Sequence, residues 1–157
     1  MKAAFVRAMN GMIEGKDDLI SEYKQIIRRL TDHAALDLEA KQQTDEADAV
    51  SELIRKCVAE NTTTSQDQEA YLERYKGLKA RYEAATQRLK QIEDQRTERK
   101  QRRQKMLEFI RMLESIDGLL TEFDEGLWNA TVAKVTVNVD GVMVFRWKNG
   151  MEVSIFE

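Results

Sequence analysis

The chain has 157 residues, 34% of them charged, with seven glycines and no proline, the composition of long helices in a chain of single-domain size. A net charge of −3 is near neutral for this length and hides blocks of opposite sign, so bulk charge decides nothing about nucleic acid. With one cysteine, Cys57, and one histidine, His33, neither a disulfide framework nor a Cys/His zinc site can be built from these residues alone.

Lys2 to Ile13 reads as an amphipathic helix, with Phe5, Val6, Met9, Met12 and Ile13 at helical spacing. Arg7 interrupts its apolar start, which is too short for a secretory signal core, and no apolar run approaches membrane-spanning length. A cytoplasmic location without membrane contact is the resulting expectation. Gly15 followed by Asp17 and Asp18 predicts a helix stop and a fresh acidic start, which sets an N-terminal segment over residues 1–15.

From Asp17 nothing is expected to break a helix until Asn61-Thr62-Thr63-Thr64-Ser65, with Asp67 and Gln68 placed as in a capping box. The helices on either side would each run for roughly 45 to 50 residues, or about 70 Å. An antiparallel coiled-coil hairpin over residues 16–117, with its turn near 61–65, is the predicted architecture. On the returning arm Tyr71, Tyr75, Leu78, Tyr82, Ala85, Leu89 and Ile92 alternate spacings of four and three, and Met106, Ile110 and Leu113 resume the register.

On the outgoing arm Leu19, Tyr23, Ile26 and Leu30 continue into His33, Asp37, Ala40, Thr44, Ala47 and Ser51 before Ile54 and Val58 restore the stripe. Loose packing is expected in that middle, with a bend or apolar surface borrowed from another chain. A turn centred on residue 62 or 63 would set Asp37 near Arg88, Asp45 and Glu46 near Lys79 and Arg81, and Glu22 near Arg103.

At Gly118 the period changes from helical to alternating. Thr131 to Val139 has strand chemistry, Asp140-Gly141 supplies a tight turn, Val142 to Trp147 returns, Asn149-Gly150 turns again, and Met151 to Phe156 gives a third strand. A small C-terminal antiparallel β-meander over residues 118–157 completes a mainly α fold.

Site chemistry needs a constellation, and His33 and Cys57 have no companions in sequence; a structural histidine and a small buried thiol are the expected roles. Arg96, Arg99, Lys100, Arg102, Arg103 and Lys105 form a basic block that could track phosphates, although a solvated coiled-coil face weighs more. The heptad spacing of Tyr71, Tyr75 and Tyr82 favours core packing over a stacking platform. Trp128 and Trp147 read as the core that fixes the strands to the helices. Lys134, Arg146 and Lys148 could touch a nucleic-acid backbone. No phosphate loop or nucleophile elbow occurs, so no small-molecule substrate is expected.

Asp117-Gly118-Leu119-Leu120-Thr121-Glu122-Phe123-Asp124-Glu125-Gly126-Leu127-Trp128, the strand Val132 to Val137, and Val144-Phe145-Arg146-Trp147-Lys148-Asn149-Gly150-Met151-Glu152 together resemble the C-terminal end of large serine recombinases of mobile elements and phages. Ala4 to Asn10 resembles the segment after that family's zinc-ribbon cysteines, and Gln66 to Glu69 with Tyr75 resembles its hairpin turn. The resemblance implies a C-terminal fragment without catalytic activity of its own. The catalytic serine domain, a recombinase domain and the zinc cysteines would precede it, so that zinc belongs to the full-length protein and no cofactor to these residues.

It further implies that the coiled coil self-associates in synapsis and directionality, and that the strands complete a zinc-ribbon-type DNA-binding domain, with DNA the partner of the full-length protein. Carried over residue by residue, Val58, Asn61, Thr62, Thr63, Thr64 and Leu72 at the hairpin tip would make subunit contacts. Arg99, Arg102, Arg103, Lys134, Arg146 and Lys148 would meet the DNA backbone. The other class of reading is a helical-hairpin scaffold or prefoldin-like chaperone, which also joins long antiparallel helices to a small β element.

Overall fold

A computed structural model describes residues 1–63 and 67–156. In chain order it contains α1 (Lys2–Glu14), α2 (Lys16–Thr31), α3 (Ala34–Thr63), α4 (Gln68–Glu114), α5 (Glu125–Thr131), β1 (Val132–Val137), β2 (Met143–Trp147) and β3 (Glu152–Ile155). The fold is mainly α, with a short N-terminal helix, a long helix pair and a small three-stranded antiparallel sheet in the order β1-β2-β3. Two compact units result, one of residues 1–31 with 99–157 and the other of residues 32–98.

The outgoing arm is not one helix, contrary to the sequence reading. Asp32 and His33 lie outside helix, and the reason is local polar competition. The Thr31 hydroxyl donates back to the Ile27 carbonyl, the Asp32 carboxylate accepts the Ala34 amide, and the His33 carbonyl accepts the amide of Asp37. Those bonds end α2 and cap a new start for α3.

Restarting the helix moves its stripe by one residue. In α3 the less exposed positions Leu36, Ala40, Gln43, Ala47, Val50, Ile54, Cys57 and Asn61 recur at alternating four and three. The expected seam residues Asp37, Thr44 and Val58 are exposed instead, and Ala40, Ala47 and Ile54 are common to both readings. Toward the turn this seam is well packed: Val50, Cys57 and Leu78 form a buried cluster with Ile54, Tyr71 and Tyr75 against it. Ala85 and Ile92 are also buried, whereas Tyr82 stays 40% exposed.

The turn expected near 61–65 falls in part on residues outside those described, between the end of α3 at Thr63 and the start of α4 at Gln68. Asn61 to Thr63 are still helical, and Asp67 caps α4, its carboxylate accepting the Glu69 amide at 2.9 Å and its carbonyl the Tyr71 amide at 3.0 Å. Thr64 lies outside the described residues.

In the other unit the core is shared by all its elements. Phe5, Met9 and Met12 of α1, Ile20 and Tyr23 of α2, Met106, Phe109, Ile110 and Leu113 of α4, and Met143, Phe145 and Trp147 of β2 are buried together. Phe5 is central, with the rings of Phe123, Trp128, Phe145 and Trp147 at centroid distances of 5.6, 5.2, 6.4 and 6.0 Å. Trp128 and Trp147 thus anchor the sheet as the sequence reading has it, but onto α1.

Polar contacts from the N-terminal helices tie down the segment between α4 and α5, with Lys16 donating to the Ile116 carbonyl at 3.4 Å. Asn10 of α1 donates to the Leu120 carbonyl at 3.0 Å and accepts its amide at 2.8 Å. Residues 125–131 then form α5, a helix the sequence reading did not foresee, capped by the Asp124 carboxylate on the Leu127 amide. A bulge at Ala133 follows, between the pairs Val132–Trp147 and Lys134–Arg146. Both tight turns use the predicted chemistry. Asp140 and Asn149 each accept the backbone amide two residues on, and Gly141 and Gly150 take positive φ values of 81° and 91°.

Candidate functional site

The residue-by-residue expectations fall into two groups, one in each unit. In the hairpin unit the heptad positions follow from the observed seam: Gln43, Val50 and Cys57 occupy d in α3, and Leu78, Ala85 and Ile92 occupy d in α4. One flank, the g positions, is latched by ion pairs. Arg88 binds Glu39 through two nitrogens, Nε at 2.6 Å and Nη2 at 2.9 Å, Arg81 reaches Glu46 at 2.8 Å, and Arg74 reaches Glu60 at 2.7 Å. Glu46–Arg81 and Glu39–Arg88 are separated by seven residues in both helices but in opposite directions, as antiparallel pairing requires.

These pairs correct the sequence register. Arg81 meets Glu46 as expected, but Arg88 takes Glu39, and Asp37 pairs with Arg96, a seam residue of α4. Among the described residues no ion pair joins Glu22 to Arg103. Arg88 thus meets the acid two positions after the expected one, a change in the register between the two arms. At the position where the register offers Arg74 an acidic residue stands Leu53, 36% exposed, and Arg74 instead reaches Glu60, one heptad nearer the turn.

Arg88 holds the Glu39 carboxyl below its usual range, chiefly by hydrogen bonding. A folded-state value below the unfolded one means stabilisation that is present at neutral pH and lost as pH falls through the folded value. The difference in melting temperature between wild type and Glu39→Gln is therefore expected to shrink as pH falls from neutral into the acid range, because protonating the Glu39 carboxylate removes its pairing with Arg88. A constant difference over that range would remove the ion pair as its cause.

Of the expected tip residues, Val58, Thr62, Thr63 and Leu72 are exposed and Asn61 is half-buried. Val58 and Leu72 expose 40% and 50% of their surface, and both sit at e positions, on the flank away from the Arg–Glu pairs. Asn61 Oδ1 accepts a hydrogen bond from Gln68 Nε2 at 3.1 Å, which ties the end of α3 to the start of α4.

The six expected backbone-contact cations all lie in the other unit. Arg102 and Arg103 are exposed on α4 and Arg99 is half-buried. Lys134 and Arg146 are exposed and directly opposed across β1 and β2, a like-charge pair that costs stability unless an anion approaches. Arg146 Nε is also 4.0 Å from Glu152 on β3. Lys148 donates to the Asn129 carbonyl at 2.6 Å and lines a groove of about 220 Å³ with Lys105, Glu108 and Phe109. The fold thus sets Lys148 beside Lys105, a residue from the basic block over 40 positions earlier in the sequence. Burial pushes the Tyr23 phenol up, against a hydrogen bond from Asn149 and the nearby charge of Arg102.

His33 and Cys57 do not form a site. Cys57 is 1% exposed in the hairpin seam, and His33 sits at the α2–α3 break with Nδ1 buried and unpartnered. Among the described residues no group of three or more His, Cys, Asp or Glu side chains could hold a metal ion. No described helix is long and apolar enough to cross a membrane. No protein-family model, curated protein or solved structure matches the chain.

Proposed function

We propose that this chain is a non-catalytic module of a large serine site-specific DNA recombinase. In that reading the α3–α4 hairpin makes the subunit contacts that govern synapsis and direction, and the unit containing the sheet belongs to the zinc-ribbon DNA-binding domain of the full-length protein. The observation that carries it is the exposure of Val58 and Leu72 on one flank beside the turn, two apolar side chains that a partner surface would cover. Support for the DNA-facing part comes from the opposed Lys134 and Arg146 and from the approach of Lys148 to Lys105, which concentrate cations in one unit.

Sedimentation equilibrium tests the hairpin role. The chain is expected to self-associate, and replacing Thr62 and Thr63 by lysine together with Leu72→Asp should weaken association at least tenfold while leaving the helical signal intact, because all three residues are exposed. Duplex DNA binding by the same chain should be weak and fall steeply between about 50 and 200 mM salt. A strict monomer, or association indifferent to these substitutions, would refute the tip as a contact surface.

A further inference from the structure

The sheet has two edges, and their chemistry differs. On β1 the bulge at Ala133 and the exposed Lys134 are features that oppose strand addition. β3 pairs with β2 in unbroken register, and its one charge, Glu152, lies 4.0 Å from Arg146 of that neighbouring strand. Val153 and Ile155 are half-buried, and with Met151 they line an apolar groove of about 320 Å³ whose helical wall includes Gly11, Gly15 and Leu19. A Cβ at Gly11 would meet nothing within 4 Å, so the groove is open where that side chain is missing.

The unpaired backbone groups of β3 follow from the ladder. The Trp147 amide donates to the Met151 carbonyl at 2.8 Å, which makes that pair a hydrogen-bonded one. Antiparallel pairs alternate in type, so Phe145–Val153 and Met143–Ile155 are hydrogen-bonded too, and the peptides of Val153 and Ile155 are taken up by β2. The amides and carbonyls of Glu152 and Ser154 then face the open edge. A strand added there must offer outward peptides at the same alternate spacing, with apolar side chains between them. β3 itself has both.

Self-pairing restricts the register, because only residues whose peptides face outward can bond. A two-fold axis through Glu152 sets that carboxylate against its own copy, which is unfavourable. An axis through Ser154 or Ile155 draws on Phe156, whose carbonyl already accepts from Arg7 Nη2 at 3.3 Å. With the axis through Val153, Glu152 pairs with Ser154 of the second copy and Ser154 with its Glu152, each pair exchanging both backbone bonds. On the groove side Met151 then faces Ile155 of the second copy and Val153 faces Val153. No like charges of β3 oppose one another.

We infer that the β3 edge docks a second copy of this chain, antiparallel about Val153, to give one sheet continuous through both copies. The contact is isologous, and the added strand supplies backbone bonds while the groove supplies side-chain fit. It involves the unit that holds the sheet and no residue of the hairpin tip, so it does not depend on the recombinase reading. Both contacts together would join copies beyond the dimer, whereas a tip variant carrying Thr62→Lys, Thr63→Lys and Leu72→Asp should stop at the dimer.

Sedimentation of that tip variant isolates the edge contact. It should show a reversible dimer, and adding Ser154→Pro should weaken it about tenfold or more, since an edge donor is lost from each copy. Proline is tolerated where the amide faces away from the neighbouring strand, so near- and far-ultraviolet circular dichroism should not change. In the same background Val153→Cys should give a disulfide-linked dimer under mild oxidation, because Cα atoms of a non-hydrogen-bonded pair stand about 4.5 Å apart. Ser154→Cys, placed opposite Glu152 of the second copy, should not, and Cys57 is shielded at 1% exposure. A tip variant that is monomeric at every concentration would overturn the inference while leaving the tip reading intact if the wild type associates. A dimer indifferent to Ser154→Pro, or one cross-linked through Ser154→Cys and not Val153→Cys, would overturn it as well.

Discussion

Replacing Phe5 by alanine is expected to destabilise the unit that holds the sheet by about 3–5 kcal/mol, the cost of deleting a buried aromatic side chain. Phe5 is fully buried and contacts four other rings, contributed by the segment after α4, by α5 and by β2. Its removal opens a cavity where three separate stretches meet, so little relaxation can fill it. Near-ultraviolet circular dichroism, which reports the packed tryptophans, should lose its signal at a lower denaturant concentration than far-ultraviolet ellipticity, which reports the helices. The neighbouring Arg7→Ala, on an exposed side chain whose one recorded bond is to the Phe156 carbonyl at 3.3 Å, should shift the transition by less than about 0.5 kcal/mol. If the Phe5 and Arg7 substitutions were equally mild, the aromatic cluster would not be what holds the sheet to α1.

The second large effect decides the register of the hairpin. Val50 is fully buried at d, and the adjacent Ser51 is half-buried at e. Val50→Asp should cost several kcal/mol, because an unpaired carboxylate would be placed in the seam beside Cys57 and Leu78. Ser51→Asp should cost under about 1 kcal/mol, since its carboxylate reaches water. The stripe that runs unbroken from Leu30 predicts the reverse, with Ser51 inside. Thermal unfolding of the two variants therefore separates the registers by direction, and equal costs would mean the seam is not narrow.

Much of the architecture was legible because it rests on local periodicity. The four-three spacing on the returning arm, the β-branched run after Val132 and the Asp-Gly and Asn-Gly turns each carry their own geometry and appear at their expected places, although the bulge at Ala133 interrupts the alternation of β1. Tyr82 is the exception within that stripe, half in the seam by position and exposed in fact. Two misreadings share a cause. The α2–α3 break depends on Thr31 and Asp32 outcompeting the helix for backbone partners by a small margin, and such a margin is invisible to a search for proline or glycine. Once that break was missed, Asp37, Thr44, Ser51 and Val58 took the seam places of Leu36, Gln43, Val50 and Cys57, while Ala40, Ala47 and Ile54 kept theirs. The signal was present in the pattern itself: Leu36, Val50 and Cys57 align with Ala40, Ala47 and Ile54 into a heptad stripe richer than the one that keeps His33 and Asp37.

The candidate surfaces divide in the same way. Exposure of Thr62, Thr63 and Leu72 follows from polar or flanking positions near a turn, which the sequence discloses. The row of Arg–Glu pairs along the g flank does not, because it requires the true register. Nor could the sequence place Lys148 beside Lys105, or Asn10 on the backbone of Leu120, since such contacts join residues 43 and 110 positions apart.

By itself, then, the amino-acid sequence determined the kinds of element and their order: helix, long helix pair, meander. Periodicity, turn chemistry and the absence of proline are short-range properties of the chain. The tertiary structure decided which helix start set the seam, which acid met which arginine, and that α1 rather than the hairpin supplies the centre of the sheet's core. Those outcomes hinge on energy differences of about 1 kcal/mol per bond summed over contacts between distant segments, which no single stretch of sequence contains.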